Sequence, residues 1–99
     1  AIKPDAVAVR NNYAMSYALQ GKLPEAEKML RELMSATGSN ATRVRQNLAL
    51  VVGLQGRFDE ARKIASEDLP PDQVDANLAY LQHMLSQPNT WKQLQDNQG

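Results

Sequence analysis

The chain carries one phrase twice, thirty-five residues apart. Val9, Arg10, Asn12, Ala14, Leu19, Gln20, Gly21, Glu25 and Ala26 recur as Val44, Arg45, Asn47, Ala49, Leu54, Gln55, Gly56, Glu60 and Ala61, and the intervening positions mostly exchange like for like. Each phrase has an apolar run at helical spacing, a glycine break and a second apolar run, which is the pattern of a helix-turn-helix unit. One such unit cannot bury its apolar face alone, so copies at a fixed period imply stacking into an α-solenoid. That architecture points toward holding a partner and away from chemistry.

No Val/Ile/Thr-rich alternating segment marks a strand, so the fold expected is all-α, with two helix-turn-helix repeats, a capping helix and a short tail. The first helix is predicted to start at Pro4-Asp5, where proline suits the first turn and the aspartate favours the positive helix end. It should run to about Gln20 and break at Gly21. A second helix from near Pro24 places Ala26, Met29, Leu30, Leu33 and Met34 on one face and should stop at Gly38. Ser39 or Asn40 is expected to cap the third helix, which runs to about Gln55 and breaks at Gly56. A shorter fourth helix from about Phe58 must end before Leu69-Pro70-Pro71, and a fifth spans Pro71 to about Ser86. Residues 1–99 thus form one domain: repeat one at about 5–38, repeat two at 40–69, a capping helix at 71–86 and a tail at 87–99.

The fifth helix reads as a cap because Asn77-Leu78-Ala79 echoes Asn47-Leu48-Ala49 after thirty residues with no glycine break following. Asp75, Gln82 and Ser86 give it a polar outer side, while Val74, Leu78, Leu81 and Leu85 face inward. In the tail, Asn89 would cap a short helix from Thr90 to Gln95, and Trp91 and Leu94 are positioned to fold back over the remaining uncovered surface. At the other end the chain begins without Met, and Lys3-Pro4 sits where a preceding repeat would close, so the expectation is the C-terminal part of a longer array. A flank of the first helix, including Val9, would then lie uncovered and invite a homodimer.

Composition narrows the function classes. Eleven basic residues balance eleven acidic ones, so no global field draws in nucleic acid. There is no cysteine and a single histidine, His83, which leaves no thiol nucleophile and no set of metal ligands. Glu25 and Glu60 occupy equivalent helix starts on different repeats, which suits solvated dipole partners better than an acid/base pair. The repeated Arg10 and Arg45 read as side chains that snorkel along the helix or pair with a carboxylate on a neighbouring helix, rather than as a phosphate stripe. No enzyme, cofactor or metal is expected, and no apolar run is long enough for this piece to insert directly into a membrane.

Tyr13-Ala14, Tyr17, Gly21 and Ala26 in the first unit, and Leu48-Ala49, Val52, Gly56 and Ala61 in the second, resemble the consensus of tetratricopeptide repeats. Departures fall at Arg10 and Arg45, where the family places an aromatic, and at Leu30 and Ala65, where a later aromatic is usual. A narrower resemblance lies in the stretch from Arg45 to Ala61, in Asp68-Leu69-Pro70-Pro71 and in Asn77-Leu78-Ala79-Tyr80-Leu81. These look like the C-terminal half of TadD-type lipoproteins of tight-adherence (Flp) pilus assembly. That resemblance implies a lipoprotein on the periplasmic face of the bacterial outer membrane, with a secretin or another pilus-assembly component as partner.

The tetratricopeptide resemblance further implies a concave groove lined by the first helix of each pair. Carried onto this sequence, it names Asn11, Met15, Ala18 and Leu19, then Arg43, Gln46, Leu50 and Leu54, then Ala76, Tyr80, His83 and Met84. Met15, Leu50 and Tyr80 form the central row, suited to an amphipathic helix or an extended apolar peptide of a protein partner. Asn12, Asn47 and Asn77 form a ladder that, with Arg43, only partly matches the carboxylate clamp of chaperone-binding repeats. Other readings stay open from the residues: Met15, Leu50 and Tyr80 packing within the superhelix while the asparagine ladder braces neighbouring backbones, self-association of the parent protein, and a cytosolic co-chaperone-like adaptor.

Overall fold

Gly21 and Gly56 set the layout, because each takes a left-handed backbone (φ 82° and 85°) that turns the chain back on itself. After Gly21, the Lys22 amide donates to the Tyr17 carbonyl at 3.0 Å and the Gly21 amide to Ala18 at 3.0 Å. After Gly56, Arg57 donates to Val52 at 3.3 Å and Gly56 to Gly53 at 2.9 Å. Both are Schellman closures, which satisfy the last carbonyls of a helix while reversing its direction. Two antiparallel hairpins follow from two equal turns.

The computed structural model describes residues 3–37 and 41–87. Within them lie five helices: α1 (Pro4–Leu19), α2 (Leu23–Thr37), α3 (Thr42–Leu54), α4 (Phe58–Ala65) and α5 (Pro71–Leu85). The described residues contain no strand. The stop at Gly38, the caps Ser39 and Asn40, and the tail with Asn89, Trp91, Leu94 and its helix lie outside the described residues. Ala41 takes the N-cap place of α3 without a side-chain hydrogen bond. Its methyl is buried at 3 % exposure, so it contributes packing there.

Hairpin α1/α2 stacks on hairpin α3/α4 through α2 and α3, and α5 lies across α3 and α4. The body measures 42 × 35 × 17 Å, and the short dimension matches two helix layers. Ala14, Ala26 and Ala61 are essentially inaccessible, and these methyls let the two helices of each hairpin approach closely. Leu30, Leu33, Val44, Leu48, Val51 and Val52 fill the space between the hairpins. Val74, Leu78 and Leu81 turn inward from α5, while Asp75, Gln82 and Ser86 stay exposed. Helix α4 stops at Ala65, short of the prolines. Amides 67 to 69 bond back to Ile64 and Ala65, and Ser66 Oγ donates to the Arg62 carbonyl at 2.6 Å.

Two polar clusters fasten these layers. Glu27 on α2 accepts from Arg57 at 2.6 and 3.1 Å, from Gln55 at 2.9 Å and from Arg31 at 2.9 Å, and both arginines also reach Glu60 on α4. The Arg57 hydrogen bonds, with smaller help from Gln55 and Arg31, hold the Glu27 carboxyl at about 2 against an ordinary 4.5, while burial opposes them. On the far side, Arg45 is 7 % exposed and pairs through Nε with Glu67 at 3.1 Å and Asp68 at 3.3 Å, tying α3 to the end of its own hairpin. Arg62 pairs with Asp75 and links α4 to α5.

The lowered Glu27 pKa means the folded chain binds that proton less tightly than the unfolded chain. Its stabilisation is complete above about pH 4.5 and is lost as pH falls toward 2. In Glu27→Gln the loss of stability at pH 7 should be about 1–2 kcal/mol, with a flatter acid limb; urea midpoints measured from pH 7 to pH 2.5 check both. Gly53 is a second sensitive point, because a Cβ there would come within 2.6 Å of Leu81 Cδ2 and 3.6 Å of the Ala61 methyl. Gly53→Val should therefore push α5 away and cost about 1–3 kcal/mol, read as a lower thermal midpoint.

Candidate functional site

Where α5 crosses α3 and α4, small side chains leave space between them. Ala49, Ala61 and Ala65 lie where larger residues would fill the gap, and a groove of about 500 Å³ results. Helix α3 contributes Gln46, Leu50 and Leu54 to one wall. Helix α5 supplies Gln73, Val74, Asn77, Leu78, Tyr80, Leu81 and Met84, and Leu69 closes the end by the α4–α5 connection. The proline stop that precedes α5 brings Leu69 into place, since a residue before proline favours extended backbone.

The lining holds no carboxylate, amine, guanidinium or imidazole. Its polar groups are the amides of Gln46, Gln73 and Asn77 and the Tyr80 hydroxyl, set among aliphatic surface. Leu50 is 41 % exposed and Tyr80 68 %, so two large side chains stand in water across the groove. Among the described residues no group of three or more His, Cys, Asp or Glu could hold a metal ion. Such a surface can bury apolar side chains and orient them with a few amide hydrogen bonds.

The residues expected on the concave face are divided by the structure. Gln46, Leu50, Leu54, Asn77, Tyr80 and Met84 come together in the groove. The α1 members do not join them. Met15 is half-buried against the core, Ala18 is 6 % exposed, and Leu19, at 70 % exposure, sits at the solvent end of α1. The central row of Met15, Leu50 and Tyr80 is therefore interrupted between Met15 and Leu50. Arg43 and Ala76 are exposed outside the lining, and His83 lies beside Gln87, with 3.0 Å between Nε2 atoms.

The asparagine ladder also needs correction. Asn47 Nδ2 donates to Asn11 Oδ1 at 3.0 Å, and Asn11 is 3 % exposed. Asn12, the residue equivalent to Asn47 in the repeat, points to solvent. Neighbouring repeats do not stack with equivalent residues face to face, so the bond crosses to the position one earlier on α1. Asn11 thus braces α1 against α3 and offers no surface to a ligand. Nor do Arg10 and Arg45 form a basic stripe, since Arg45 is buried in its ion pairs and Arg10 is exposed.

Sequence reasoning missed Ala65, Leu69 and Gln73 as groove residues and assigned Ala49, Ala61, Val74, Leu78 and Leu81 to helix packing alone. The departure at Ala65, where the repeat usually carries an aromatic, was the available signal. Replacing a ring with a methyl at a helix–helix contact opens space that must be filled from elsewhere.

Residues 7–37, which span most of α1 and all of α2, match the family described as tetratricopeptide repeat. No curated protein and no solved structure matches the chain. The five-helix arrangement is a tetratricopeptide-like all-α repeat fold, and repeats of that family generally mediate contacts between proteins. Asn11→Ala, which removes the acceptor for Asn47, should cost about 1 kcal/mol. The urea midpoint would fall while the helical circular-dichroism signal of the folded state is unchanged.

Proposed function

We propose that this protein is a non-catalytic interaction scaffold that takes the apolar face of a partner protein's amphipathic helix into the groove between α3 and α5. The observation that carries the reading is the uncharged lining flanked by the exposed Leu50 and Tyr80. A helix anchored by apolar residues three and four apart would present a narrow stripe to such a trough, while Gln46, Gln73 and Asn77 meet its polar margins. Each well-buried anchor would contribute about 1.5–3 kcal/mol before ordering costs.

The partner we propose is a secretin subunit or another component of tight-adherence pilus assembly, met at the periplasmic face of the outer membrane. Support for that finer assignment is the resemblance in Arg45 to Ala61, Asp68 to Pro71 and Asn77 to Leu81. The groove chemistry supports only the coarser one.

Titration of the full chain with a purified secretin subunit from such a system tests both levels. Leu50→Glu and Tyr80→Ala should each weaken binding at least tenfold while the helical signal and melting midpoint stay close to those of the parent, because both side chains are already in water. Unchanged affinity in the two variants would move the site out of the groove. A parent chain that does not bind the secretin would remove the pilus assignment.

A further inference from the structure

The sequence after Gln87 carries the pattern that the groove between α3 and α5 accepts. Trp91 and Leu94 are three positions apart, so in the short helix expected from Thr90 to Gln95 they share one face. Lys92 and Asp96 are the charged side chains between Pro88 and Gly99, and helical spacing puts both on the opposite side. The other polar side chains of this segment are mostly amides. The groove is complementary, with an uncharged apolar lining and amides at Gln46, Gln73 and Asn77. A helix with two apolar anchors and its charges turned away suits that trough.

The connection is also long enough. Pro88 has no amide proton with which to extend α5, so the chain is free to reverse there. Four residues from Gln87 to Trp91 span up to about 13 Å when extended, and going back along α5 from Gln87 to Tyr80 covers about 10 Å. The indole therefore reaches the level of Tyr80 and Met84, which line the groove at the end away from Leu69. In a helix running antiparallel to α5, Leu94 then stands level with Asn77, three positions before Tyr80. A buried indole N–H needs an acceptor, and the Gln46 and Asn77 side chains bring amide oxygens to the lining.

We propose that the segment 88–99 folds back into the α3–α5 groove of its own chain, anchored by Trp91 and Leu94, and competes there with the partner helix. The competition rests on the groove being the partner site, whereas the docking itself requires only the groove. A connection this short holds the anchors at an effective concentration of about a millimolar, so a contact too weak to join separate chains keeps the groove filled. Occupancy in about nine molecules of ten would weaken the partner's apparent affinity roughly tenfold.

Trp91 is the single tryptophan, so its fluorescence in the full chain reads the docking directly. The emission maximum should lie well to the blue of that in the urea-unfolded chain, and acrylamide quenching should be several-fold weaker. Leu50→Glu and Tyr80→Ala should each return quenching toward the unfolded value while the helical signal is unchanged. The double variant Trp91→Ser, Leu94→Ser should bind 1-anilinonaphthalene-8-sulfonate where the parent chain does not, and should bind a purified secretin subunit roughly tenfold more tightly. Quenching at the unfolded value in the parent chain would overturn the docking, as would protection that neither groove variant alters. Protection lost on dilution would overturn it too, because the segment would then occupy the groove of a second copy. Equal secretin affinity in the parent and the double variant, with Trp91 protected, would overturn the competition. If neither binds the secretin, the pilus assignment fails and the fluorescence still decides the docking by itself.

Discussion

Helix α3 is covered on one flank by α2 and on the other by α4, and the position of every other element depends on that double coverage. Val44, Leu48, Val51 and Val52 lose nearly all contact with water there, a dense apolar strip for a helix of this length. Burial at that seam joins two hairpins that would each be marginal alone. The Glu27 cluster adds direction to it. One carboxylate receives Arg57 and Gln55 from the following turn and Arg31 from its own helix, so the hairpins cannot slide past each other without separating several hydrogen bonds. Apolar contact supplies most of the attraction, and the charged cluster fixes the register.

The groove is a consequence of the same stacking. Gly53 admits the end of Leu81, which lets α5 approach α3 at that level. Beside it, alanines at 49, 61 and 65 leave a gap that α5 bridges without filling. The tight contact and the open space sit side by side, and both come from small residues. What differs is whether a large neighbour reaches in.

The repeat itself was legible from residues 9 to 26 and 44 to 61, because glycine at the turn and alanine at the close contact have few substitutes. The inward set on α2, from Ala26 to Met34, and that on α5, from Val74 to Leu81, were likewise readable from spacing alone. The groove was only half legible. Gln46, Leu50, Leu54, Asn77, Tyr80 and Met84 do line one groove, but Asn11 is buried as a brace and Met15 packs against the core. Periodicity assigns a residue to a face of its own helix. It does not tell how far the neighbouring helix is shifted, and that shift paired Asn47 with Asn11 rather than Asn12.

By itself the sequence determined the helices, their order and both turns, since these depend on contacts a few residues apart and on the backbone freedom of two glycines. The tertiary structure alone decided which apolar residues became core, which became groove and which stayed uncovered. Val9 and Val44 are the same residue at equivalent repeat positions, yet one is 67 % exposed and the other 2 %. Burial belongs to the pair of surfaces that meet, and a preceding helix covers only the second.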